Sequence, residues 1–105
     1  MKILYLPRFQ KEYRKIPSEI HDLAEKKEKI FRKNSFDSVL KTHKLHGALA
    51  GFWAFSLNYK YRIIFDFADK NIVRFYSIGA HDIYEWNPHK LGSKPSWARP
   101  MEFVI

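Results

Sequence analysis

Three histidines and one arginine carry the chemistry open to this chain. His43 and His46 lie in Lys41-Thr42-His43-Lys44-Leu45-His46-Gly47, His81 in Ile78-Gly79-Ala80-His81-Asp82, and Arg62 in Tyr61-Arg62-Ile63-Ile64-Phe65. Imidazole has its ordinary pKa near neutrality, so it both accepts and donates protons there. Guanidinium offers a planar fork of donors that fits a phosphate. Together these groups are the minimum equipment for cutting RNA without a metal. A base takes the proton of a 2′-hydroxyl, positive charge stabilises the phosphate, and an acid protonates the departing 5′-oxygen. The same set also suits phosphate binding without cleavage.

The surroundings of these residues favour a polyanionic ligand. The 105-residue chain has 19 basic against 11 acidic residues, a net charge of +8, and a basic surface captures nucleic acids through counterion release. Its length supports one domain with one core, and 17% aromatic content supplies the burial. Cysteine is absent, which excludes disulfides and thiolate metal sites. The start, Met1-Lys2-Ile3-Leu4-Tyr5-Leu6-Pro7, is charged too early for a signal peptide. No apolar run approaches the roughly 18 residues that span a bilayer, so a cytoplasmic protein is expected.

The elements that must position the site follow from periodicity. Residues 1–6 read as a short strand. Phe9, Tyr13 and Ile16 make the stripe of a first helix, which Pro17 interrupts. Ser18 is expected to cap a second helix with Ile20, Leu23, Ala24, Ile30 and Phe31 inward, closed by a left-handed Asn34. A loop through His43 and His46 turns at Gly47 and Gly51. Residues 52–57, 62–67 and 72–78 then alternate as strands of an antiparallel meander joined by short turns. Trp53, Phe55, Ile63, Phe65 and Phe67 point toward the helices. Arg62, Arg74 and Tyr76 fall on the other, uncovered face, with His81 at its rim. Residues 86–105 are expected to form an irregular extension packed on the same domain through Trp86, Trp97 and residues 101–105, with an extra C-terminal strand as one option.

In these three segments, together with Gly51-Phe52-Trp53, the chain resembles the RelE/ParE superfamily of toxins, on the RelE/YafQ side. The resemblance spans residues 1–85. It implies an α+β fold in the order β-α-α-β-β-β, two helices packed on one face of an antiparallel sheet. It also implies an endoribonuclease that cleaves mRNA at the ribosome and is silenced by a cognate antitoxin. His43 and His81 match the early and late histidines of the YafQ pattern, and Arg62 the phosphate-holding arginine of the YoeB-like pattern. Tyr84 lies near the late aromatic used against a base. The chain departs from YafQ at Ser56 and Lys60, where a histidine and an aspartate are expected, and from RelE at Phe52 and Ala54, where lysines are expected.

The expected roles are therefore His81 as general acid, Arg62 as phosphate clamp, and His43 or His46 as general base. Lys44, Lys60 and Arg74 would guide the RNA backbone, and Tyr76 and Tyr84 would stack on bases. Each has a plainer counterpart. His81 would cap the sheet edge, His43 and His46 would be solvated, Arg62 would pair with Asp66, and the tyrosines would simply pack. A site in which His43, His46 and His81 hold a metal lacks HExxH and a clear carboxylate, so no metal and no cofactor are expected. Two other functions remain open on the same fold: a non-catalytic ParE-like gyrase inhibitor and an inactive RNA-binding member.

Overall fold

The computed structural model describes residues 1–80, so expectations for His81, Tyr84 and residues 86–105 lie outside the described residues. Strand β1 (Lys2–Tyr5) leads into helix α1 (Pro7–Lys15), where proline's fixed φ suits the first turn. Pro17 pushes the residue before it into the extended region, Ile16 adopting φ −78° and ψ 155°, and α1 stops there. Helix α2 (Ser18–Lys33) starts at once, with the Pro17 carbonyl accepting from the Ile20 and His21 N–H groups. Ser18 is the first helical residue and not a cap. Asn34 is extended (φ −157°) and not left-handed; its side chain instead accepts from the Phe36 N–H.

The rest of the described chain is sheet. Strands β2 (His43–Lys44), β3 (Trp53–Ser56), β4 (Arg62–Asp69) and β5 (Ile72–Gly79) join β1 in the order β1-β5-β4-β3-β2. Three of the pairings are antiparallel, and β1 lies parallel to β5. The parallel pair departs from the all-antiparallel expectation. Two helices lie between β1 and the meander, so the chain has the length to carry β1 to the far edge.

Period-2 alternation fixes the core. Phe55, Ile63, Phe65, Val73, Phe75 and Ile78 are buried against Phe9, Ile20, Ala24 and Phe31 of the helices. Phe31 is fully buried at the centre, its ring 4.8 Å from Phe55, 4.9 Å from Phe65 and 5.5 Å from Phe75. Trp53 and Phe67, expected inside, sit at the margin and stay partly exposed.

The opposite face is not bare. Residues 45–52 fold back over it and bury Leu49 on Ile64, Tyr76 and Leu6, with Leu45 and Phe52 packed alongside. Gly47 (φ 65°) and Gly51 (φ 94°) provide the left-handed backbone this reversal needs. A short helical turn (Gly47–Leu49) lies between them. A bulge at Tyr76 lets Ile64 pair with Ser77 while Phe65 pairs with Phe75. The expected uncovered face is thus a rim of polar side chains around a small second core.

Candidate phosphate-binding and acid–base site

Arg62 opens β4, paired with Ser56 of β3 on one side and Gly79 of β5 on the other. Its orientation is set by the turn before it. Asn58 Oδ1 accepts from Lys60 N (2.9 Å) and Tyr61 N (2.7 Å), which folds residues 58–61 tightly. The Asn58 carbonyl then accepts from Arg62 Nη1 at 3.0 Å. Nε and Nη2 of Arg62 have no hydrogen-bond partner among the described residues, so part of the donor fork remains for a ligand. Sequence reasoning passed over Asn58 except as a turn residue. An asparagine beginning a three-residue turn before an arginine was the available signal.

His43 is on edge strand β2, not in a loop, and pairs with Ala54. Alternation places it on the same face as Ala54, Ile64 and Arg62. Two strand spacings and two residues of offset separate its Cα from that of Arg62 by roughly 12 Å. Its Nδ1 lies 2.9 Å from the Lys41 carbonyl, which can only accept, so in the neutral ring Nδ1 carries the proton and the lone pair falls on Nε2. This is the tautomer a general base requires. Lys41 is in the left-handed region (φ 52°), a conformation uncommon outside glycine. His46 is exposed, and its carbonyl opens the turn at Gly47–Leu49; its imidazole makes no hydrogen bond among the described residues.

The remaining expected residues divide. Lys44 points to the helix side of the sheet, its ammonium 5.6 Å from the Trp53 ring, so the sheet separates it from Arg62. Lys60 is exposed on the Asn58 turn, and with Arg8, Glu12, Tyr61, Gly79 and Ala80 it lines a cleft of about 330 Å³ at the end of β5. Arg74 shares the face of Arg62 but is taken by Asp66 through two bonds, Nε–Oδ1 at 2.9 Å and Nη2–Oδ2 at 2.7 Å. Asp66 therefore pairs with Arg74 and not, as the plainer reading had it, with Arg62. Tyr76 is 5% exposed, and its hydroxyl donates to Asp66 Oδ2 at 3.1 Å. Burial, with the Asp66 carboxylate beside it, holds the Tyr76 phenol well above its ordinary pKa. The hydrogen bond from Arg74 to Asp66 raises the guanidinium pKa further. Tyr76 packs in the second core and has no open ring face for a base.

Glu12 of α1 was not among the expected residues. After β1 ends, the outer edge of β5 is open, and Glu12 Oε1 accepts there from Ser77 Oγ (2.7 Å) and Ile78 N (3.3 Å). It joins α1 to the strand that ends at Gly79, two residues before His81 in sequence. Among the described residues, no three His, Asp or Glu side chains cluster as a metal site.

No protein-family model matches the chain, and no curated protein matches it in sequence. Solved structures do. The YoeB/ParE toxin from Agrobacterium tumefaciens superposes with a TM-score of 0.66 at 14% identity, covering 77% of this chain and 99% of that one. YafQ from E. coli gives 0.64 at 21% identity, covering 78% and 94%. A chain of the YoeB–YefM complex from Staphylococcus aureus gives 0.63 at 19% identity, covering 77% and 97%. The chain shares the fold of these three structures. In this fold, Arg62 at the start of β4 and His43 on the sheet edge share the face opposite the helices. No described helix is long and apolar enough to cross a membrane.

Proposed function

We propose that the protein is the toxin of a toxin–antitoxin pair and acts as a metal-independent endoribonuclease on mRNA at the ribosome, in the cytoplasm. One observation carries this reading. A guanidinium with donors to spare is held by Asn58 on the same sheet face as an imidazole whose Nδ1 is engaged by the Lys41 carbonyl and whose Nε2 has no hydrogen-bond partner among the described residues. Arg62 also pairs with Gly79, two residues ahead of His81 in the chain.

In the proposed reaction His43 Nε2 removes the 2′-hydroxyl proton, and O2′ attacks the adjacent phosphorus. Arg62 neutralises the charge that grows on the non-bridging oxygens. His81 gives its proton to the departing 5′-oxygen. The bond broken is P–O5′, leaving a 2′,3′-cyclic phosphate and a 5′-hydroxyl. Lys60 at the cleft steers the strand. A cognate antitoxin is the expected partner, as the neighbouring folds include a DinJ–YafQ toxin–antitoxin complex.

The test is induced expression followed by mapping of RNA ends with chelator present. Growth arrest and cyclic-phosphate ends are expected. His81→Ala lowers cleavage by about 10²–10⁴-fold, the usual worth of positioned proton transfer. Arg62→Ala lowers it by about 10²–10³-fold, as loss of one preorganised donor does. Undiminished cleavage in both variants rejects the assignment, and intact message with damaged DNA turns the reading to a gyrase inhibitor.

A further inference from the structure

On the helix side of the sheet, away from His43 and Arg62, two exposed aromatic rings meet, and a third large apolar residue, Val39, is exposed three positions along the chain from one of them. Phe36 is 56% exposed, Val39 45% and Phe67 37%. The Phe36 ring lies 5.3 Å from Trp53 and 6.1 Å from Phe67, and Trp53 lies 5.8 Å from Phe67. Single exposed apolar residues need no explanation, but a contiguous cluster does.

The segment that presents this patch is rigidly built. Asn34 Oδ1 accepts from Phe36 N and Asp37 Oδ1 from Val39 N, both at 3.0 Å, while the Ser35 hydroxyl donates to the Phe31 carbonyl. Leu40, next to Val39, is fully buried and anchors the segment. A surface fixed in advance loses little freedom on binding. We propose that the Phe36–Val39–Trp53–Phe67 patch is the docking surface for an acidic, apolar-faced segment of a partner protein, the antitoxin of the reading above.

Charge selects this occupant. Between residues 29 and 65 the chain holds seven Lys and Arg but only one acid, Asp37, whose Oδ1 is used by Val39. Lys44 lies over Trp53, and Lys33 and Lys41 are exposed on either side of the segment. A second copy at net +8 would meet repulsion here. Single-stranded RNA needs open ring faces to stack on. Phe36 and Phe67 turn one face of each ring to the other, and Lys44 lies over Trp53, so these faces are already taken. Since the patch faces away from Arg62, it acts as an anchor, and docking there leaves the cleavage site open.

The identity of the partner rests on the toxin reading, so the experiment separates the two. The probe is the purified product of the reading frame flanking the gene, titrated into full-length wild type and the double variant Phe36→Ser/Val39→Ser. The double variant should keep the wild-type melt and growth arrest while its Kd rises at least tenfold. Wild type that causes no growth arrest rejects the toxin reading, whatever the Kd. Growth arrest with no binding of that product, or a variant Kd within twofold of wild type, overturns the docking surface. So does a photocrosslinker at Phe36 that captures RNA, a second copy or the chain's own residues 86–105.

Discussion

At Asn58 the side chain folds the turn while the carbonyl holds Arg62, so one residue sets both the backbone and the guanidinium. Asn58→Ala should cost about 1–2 kcal/mol of stability in urea unfolding, the worth of one or two such bonds. It should also lower cleavage, and Asn58→Asp, which keeps the acceptor, should restore most of both. The tyrosines set the alkaline limit. Burial, then the hydrogen bond to Glu28, raises Tyr5; burial, then Asp66, raises Tyr76. Their folded values lie above the unfolded value of about 10, so the stabilisation is complete below that pH. Above about pH 10 the unfolded chain releases protons that the folded one keeps, and stability falls. Urea midpoints measured from pH 8 to 11 should show this decline, and Tyr5→Phe with Tyr76→Phe should flatten it.

At the scale of elements, the helices are held by what they cover. Phe31 joins α2 to three strands, and Phe31→Ala should cost about 3–5 kcal/mol, read from denaturant unfolding. Glu12 serves α1 differently, since its carboxylate occupies the edge of β5 that β1 leaves open. Glu12→Ala should therefore speed hydrogen exchange at the Ile78 amide far more than at Val73, which β1 covers. Equal acceleration at both would show that the carboxylate does not close this edge. The reversal at Gly47 and Gly51 brings Leu49 onto Ile64, on the sheet face that also carries His43 and Arg62.

For the whole molecule the net charge of +8 governs encounter with RNA. Four phosphate contacts to a single strand give a log–log salt slope of about −2.8, so raising salt fourfold weakens binding by about 50-fold. Arg62→Ala should make the slope shallower by about 0.7. A slope near zero would mean that the phosphate backbone contributes nothing to affinity.

The strands β3, β4 and β5, the two helices, the break at Pro17 and the common face of Arg62 and Arg74 were all legible in the sequence. Alternation, helical spacing and proline are local physics, and local physics is written in neighbouring residues. Tertiary structure alone decided what those residues touch. Asp66 chose Arg74 over Arg62 because antiparallel register set them opposite each other. His43 became a strand residue because β3 offered it an edge, and β1 reached β5 across the fold. The supposedly bare face was covered because Gly47 and Gly51 turned residues 45–52 back onto it. Such pairings depend on distances between segments far apart in the chain, which periodicity does not encode.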